Sequence, residues 1–99
     1  MRLSEEVLSK IKTLANKHFG ESCEVRIFGS RIDNSKRGGD IDIYIKTDSK
    51  ENLIELKAKF LAELKMTIGD QKIDLLVESK DKPEENPVYE VARTTGIKI

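Results

Sequence analysis

Residues 25–46 read VRIFGSRIDNSKRGGDIDIYIK, and this stretch decides the fold. Two apolar runs of period two enclose a polar loop. The run CEVRIF, Cys23–Phe28, reads as a strand with Val25 and Ile27 sharing one face. DIDIYIK, Asp40–Lys46, alternates cleanly, with Ile41, Ile43 and Ile45 on one face and Asp40, Asp42 and Tyr44 on the other. Between them stand Gly29-Ser30, the basic residues Arg31, Lys36 and Arg37, and Gly38-Gly39. Aspartate is a poor strand former, so two of them two residues apart in an apolar strand require a reason.

Outward from this stretch, the chain alternates helical and strand periodicities. Ser4 is a good N-cap, Glu5 and Glu6 suit a helix N-terminus, and Val7, Leu8, Ile11, Leu14 and Ala15 recur at helical spacing up to Gly20. Beyond the second strand, Asp48 or Ser49 is expected to cap a helix, with Glu51 completing a capping box after Asp48. Leu53, Leu56, Phe60, Leu61 and Leu64 form its apolar stripe, and Gly69-Asp70 ends it. KIDLLVE is a third strand, with Ile73, Leu75 and Val77 on one face and Asp74 and Leu76 on the other. After the polar loop SKDKPEEN, Asn86-Pro87 opens a last helix supported by Val88, Val91 and Ala92 and stopped by Gly96. The expectation is an α+β fold. A mixed central sheet (strands about 23–29, 40–46 and 71–77) is flanked by helices (about 4–19, 49–67 and 87–95). With 99 residues, the chain is expected to form one domain over 1–99.

Composition narrows the function. Eighteen basic and eighteen acidic residues leave a formal net charge of zero, which gives no global reason to expect nucleic acid or a membrane surface as partner. No apolar run approaches the roughly 20 residues of a membrane span. The N-terminus has the pattern of an acidic helix rather than a signal peptide. The single Cys23 rules out an internal disulfide and suits a reducing, cytoplasmic setting. With His18 the only histidine, no zinc cluster is available.

Asp40 and Asp42 project from one strand face, about 7 Å apart along the chain. Like charges this close favour a shared proton or an intervening cation, and an all-oxygen set suits Mg²⁺ or Mn²⁺. If the second and third strands are neighbours, Asp74 completes a three-carboxylate cluster. The plain alternative is the wet side of a one-sided sheet. Against it, the polar members are all aspartates, and the same face carries Tyr44 and Leu76. Gly29 permits a tight turn and close approach of a phosphate, and free backbone N–H groups beginning at Ser30 would bind phosphate oxygens.

FGSRIDNSKRGGDIDIYI together with QKIDLLV resembles the minimal nucleotidyltransferases of the DNA polymerase β superfamily, whose signature is Gly-Ser, about ten residues, Asp-x-Asp, and a distant third Asp on another strand. The likeness runs from Val25 through Val77. Two departures stand out: nine residues separate Ser30 from Asp40, and Ile32, Asp33 and Asn34 stand where a glycine often follows the arginine. The resemblance implies that Gly29 and Ser30, with Arg31 beside them, hold a nucleoside triphosphate such as ATP. It implies that Asp40 and Asp42 bind divalent metal, Mg²⁺ or Mn²⁺, and that Asp74 completes the metal site and helps activate an incoming hydroxyl. It also implies a partner, a small helical protein of the HEPN type that acts as a toxin. The minimal nucleotidyltransferase is its antitoxin, in some cases transferring AMP to a tyrosine of the toxin.

The remaining residues have plainer readings. His18 suits a helix end or core edge, and Cys23 a small residue at a strand start. Tyr44 either borders the nucleotide or simply packs. Arg31 and Arg37 either contact phosphate or line a solvated basic loop, and Lys36 is expected to be exposed. Two other functions compete with catalysis. One is a non-catalytic antitoxin that neutralises a helical partner by contact. The other is a nucleic-acid-binding domain, disfavoured by zero net charge and only five aromatic residues.

Overall fold

A computed structural model describes residues 3–29, 40–49, 51–69 and 71–99. The element order is α1 (Glu5–Phe19), β1 (Glu24–Phe28), β2 (Ile41–Thr47), α2 (Leu53–Ile68), β3 (Ile73–Ser79), α3 (Pro87–Thr95) and β4 (Ile97–Lys98). This is an α+β fold around a mixed sheet of order β3-β2-β1-β4. β1 pairs antiparallel with β2 and β4, while β2 and β3 run parallel, joined by α2 as a crossover.

The two faces of the sheet have different roles. Val25 and Ile27 of β1, with Ile41, Ile43 and Ile45 of β2, are fully buried under α1 and α2. Those helices contribute Ile11, Leu14, Ala15 and Phe19 from α1 and Leu56, Phe60 and Leu64 from α2. Phe19 and Phe60 meet edge to face, with centroids 5.6 Å apart. On the opposite face α3 covers only part of the sheet, packing Ala92 and Tyr89 on Phe28, Tyr44 and Leu76. The rest of that face stays open, and it is where the aspartates lie.

Local chemistry sets the element ends. The Ser4 hydroxyl accepts the Val7 N–H, and Gly20 closes α1. Neither Asp48 nor Ser49 caps α2. The Asp48 carboxylate is taken by the Ser22 hydroxyl at 2.8 Å, and the Ser49 hydroxyl accepts the Glu51 N–H at 3.2 Å while its own N–H is held by Thr47 Oγ1 at 3.0 Å. The chain therefore runs on to Asn52, whose side chain accepts the N–H groups of Ile54 and Glu55, and the helix begins at Leu53. Glu51 accordingly lies before the helix and forms no capping box. Asn86 caps α3 through the Val88 N–H, with Pro87 in its first turn.

A fourth strand follows the Gly96 stop. Ile97 and Lys98 pair with Ile27 and Arg26, and the Arg26 guanidinium donates to the Gly96 carbonyl at 3.0 Å. Two residues are too short to show a period, so only the partner strand defines β4.

Candidate functional site

The register of the parallel ladder brings the distant aspartates together. Asp42 of β2 lies directly beside Asp74 of β3, 32 residues further along the chain, and beside Phe28 of β1 on its other side. Asp40 immediately precedes β2 on the same face. Side chains at equal register on adjacent strands stand within contact of each other. Asp74 acts on the titration of Asp42, and Asp40 on that of both, so the three carboxyls form one electrostatic cluster.

Burial and the neighbouring carboxyls shift Asp42 and Asp74. Partial burial, reinforced by the charge and hydrogen bond of Asp74 and then by the charge of Asp40, pushes Asp42 up to about 6. Asp74 is also raised, first through its hydrogen bond with Asp40, while Lys72 opposes the shift. The Lys72 ammonium stands 3.6 Å from Asp40 Oδ2. Each ionised carboxylate in the cluster disfavours ionisation of its neighbour, and an intervening cation would relieve that repulsion.

Gly29 closes the site from β1. Its φ of +77° is a left-handed conformation that side chains rarely adopt. A Cβ there would overlap the Asp42 carboxylate oxygen and come 2.9 Å from its Cγ. The turn and the carboxylate thus pack directly on each other, and only glycine allows the contact. Ser30 and Arg31, the other expected nucleotide-binding residues, lie outside the described residues, as do Lys36, Arg37 and Gly38-Gly39.

The donor set suits a hard divalent cation in chemistry: three carboxylates with nothing softer among them. Among the described residues, however, no group of three His, Cys, Asp or Glu side chains stands as a ready metal cage. A cation there would be held by Asp40, Asp42 and Asp74 in their ionised forms, against the upward shifts of Asp42 and Asp74.

A second cluster on the same face was not legible beforehand. Glu78, two residues beyond Leu76, has a side chain with no exposed surface. It takes the Tyr44 hydroxyl, the Arg93 Nε at 2.7 Å and Nη2 at 2.9 Å, and the Glu84 N–H at 2.8 Å. Arg93 first, opposed by burial and helped by Tyr44, holds Glu78 down at about 2. Burial, then Glu78, pushes Tyr44 upward. Tyr44 is therefore packed and committed to Glu78, away from any nucleotide role. The available signal was a lone Glu at site-face parity at the end of KIDLLVE, followed by an Arg on the last helix. An open cavity of about 560 Å³ lies at this end, lined by residues including Leu53, Glu78, Lys82 and Asn86, and by none of the three aspartates.

His18 and Cys23 follow the plainer readings. His18 Nε2 lies 2.9 Å from Glu63 Oε1, tying α1 to α2 beside the Lys17–Glu63 ion pair. Cys23 is buried just before β1. Among the described residues, no helix is long and apolar enough to cross a membrane. No family model matches the chain, and no curated protein is similar enough to it to lend it a family or an activity.

Proposed function

We propose that the chain is a metal-dependent nucleotidyltransferase that transfers a nucleoside monophosphate, AMP from ATP in the first instance, to a hydroxyl of a partner protein. One observation carries the reading: Asp42 and Asp74 share a register position beside Asp40, with Gly29 packed under the Asp42 carboxylate. A left-handed glycine turn touching a paired-carboxylate strand suits charge neutralisation beside a phosphate, and a wet sheet face requires neither.

A divalent cation bound by Asp40, Asp42 and Asp74 would supply charge stabilisation to the reacting phosphate. The chain's own part is positioning and proton handling. Gly29 lets the Asp42 carboxylate pack directly against the end of β1. Asp74, the most exposed of the three and on the strand at the sheet edge, is placed to accept the proton of the incoming hydroxyl. The hydroxyl oxygen then bonds to the α-phosphorus, the bond to the β-phosphate bridge breaks, and pyrophosphate leaves. The acceptor is a HEPN-type helical protein in this reading, which makes the chain its antitoxin, in a cytoplasmic setting.

The decisive assay mixes the chain, α-labelled ATP, Mg²⁺ and the product of the neighbouring reading frame. Label is expected on the partner, lost with Asp42→Asn. Absence of transfer, or equal transfer by the variant, refutes the reading.

The non-catalytic alternative draws on the upward shifts of Asp42 and Asp74, which disfavour the ionised forms a cation needs. It predicts that a chain with all three aspartates changed to asparagine still neutralises its partner fully.

A further inference from the structure

We infer, resting on the metal-site reading above, that Lys72 is a tethered competitor for the divalent ion at the carboxylate cluster. Its ammonium neutralises Asp40 in the metal-free chain, and the ion gains Asp40 by displacing it.

The register places Lys72. The parallel ladder pairs Ile41 with Ile73 and Asp42 with Asp74. The Ile41 N–H donates to the Lys72 carbonyl at 3.0 Å, so the pairing continues to the residue before each strand. Lys72 therefore flanks Asp40 as Asp74 flanks Asp42, and alternation along each strand puts both pairs on one face. The open face of the sheet thus carries a square of four ionisable side chains. Three corners are aspartates and the fourth is a lysine. The Lys72 ammonium stands 3.6 Å from Asp40 Oδ2. Among the described residues, no other cation pairs with any of the three aspartates.

The pair is built to open. The side chain of Lys72 is 76% exposed and that of Asp40 is 30% exposed. Exposed pairs of this kind contribute little to stability, so the ammonium leaves Asp40 at little cost. Its flexible stem lets it turn into solvent while its carbonyl stays in the ladder. The other lysine–carboxylate row of the same ladder behaves differently. There Lys46 lies beside Glu78, but Arg93 already holds Glu78 from above and the carboxylate is fully buried.

Charge gives the direction of the effect. With its aspartates ionised, the square holds three negative charges and one positive. A divalent ion arriving there is attracted by three corners and repelled by the fourth. Neighbouring corners lie well within the screening length of about 10 Å at 0.1 M salt, so the ammonium opposes the ion even after it has left Asp40. Removing that charge should tighten metal binding, and a fourth carboxylate should tighten it further. A lysine that only pins the start of β3 would lower stability when replaced and leave metal affinity unchanged.

Titration of Mn²⁺ into the full chain, with the free ion followed by electron paramagnetic resonance, tests this without nucleotide or acceptor. The buffer is kept low in salt and at about pH 7.5, above the Asp42 titration at about 6. Lys72→Met is expected to bind Mn²⁺ about three- to tenfold more tightly than the parent, and Lys72→Glu more tightly again. Lys72→Arg keeps the charge and should stay within about twofold of the parent. The differences should shrink as NaCl is raised. Asp42→Asn should weaken binding in the parent and in Lys72→Met alike, which locates the ion at the square. Equal affinity of the parent and Lys72→Met overturns the role of Lys72 and leaves the metal site standing. Weaker binding by Lys72→Met overturns it too, and would make Lys72 a support of the site. Absence of binding by the parent and every Lys72 variant, or binding indifferent to Asp42→Asn, refutes the metal-site reading and the competitor with it.

Discussion

Gly29 and Asp42 occupy the same space to within one methyl group: a Cβ on the glycine would overlap the carboxylate it faces. Gly29→Ala must therefore move Asp42 and also force an L-residue to φ +77°. The left-handed conformation alone costs on the order of 1–2 kcal/mol. The variant is expected to melt several degrees lower and to lose nucleotidyl transfer. Differential scanning calorimetry and the label-transfer assay check both effects. An alanine variant with native stability and activity would show that the turn and the carboxylate are independent.

Asp42→Asn should separate activity from stability. Asp42 titrates at about 6 in the folded chain, against an ordinary value of 3.8. Its charged form is thus disfavoured by folding. The group is mostly neutral in both states below pH 3.8, and its penalty grows as pH rises from 3.8 and is complete above about 6. The asparagine variant is expected to be more stable than the parent above pH 6 and indistinguishable from it near pH 3.5, while being inactive. Paired urea titrations at the two pH values measure the difference. A stability gain equal at both would remove charge repulsion as its cause.

Glu78 has the opposite sign. Its folded value of about 2 lies below the ordinary 4.5, so its stabilisation is complete above pH 4.5 and is lost as pH falls toward 2. The shift corresponds to on the order of 3 kcal/mol. Glu78→Gln leaves Arg93 and the Tyr44 hydroxyl without their anion and should cost about 2–4 kcal/mol at pH 7. The acid limb between pH 4.5 and 2 should flatten in the variant. An unchanged limb would mean that other carboxylates govern acid unfolding.

Thr47→Val tests the joint between the sheet and α1. The buried Thr47 hydroxyl donates to the Phe19 carbonyl at 2.7 Å and accepts the Ser49 N–H. Valine keeps the shape but strands both partners, at a cost of about 1–3 kcal/mol. Chemical denaturation checks the loss, and amide exchange at Ser49 should quicken selectively.

The sequence displayed what is periodic and hid what is relational. Alternation in DIDIYIK and KIDLLVE placed both strands and the parity of Asp40, Asp42 and Asp74, since a strand's facing is a local property. That Asp42 and Asp74 are direct neighbours depended on β2 and β3 being adjacent and in register, which no local pattern fixes. The cap of α2 was misplaced because Asp48 and Ser49 have the right chemistry but their side chains are taken, Asp48 by the Ser22 hydroxyl and Ser49 by the Glu51 N–H. β4 and the Glu78–Arg93 pair escaped for the same reason: each exists only through a distant partner. Val88 and Val91 marked α3 correctly as helix, yet the helix turns them outward and buries Ala92 instead.

The pairing of β2 with β3 is tied unevenly along its length. At one end Lys46 lies opposite Glu78 and the Arg93 clamp, while at the other Asp42 lies opposite Asp74. Strand separation should begin where the like charges meet, so the amides of Ile41 and Ile43 should exchange with solvent sooner than those of Ile45 and Thr47. Any cation settling between the aspartates would close that gap, making the rate at which this ladder opens a direct gauge of occupancy.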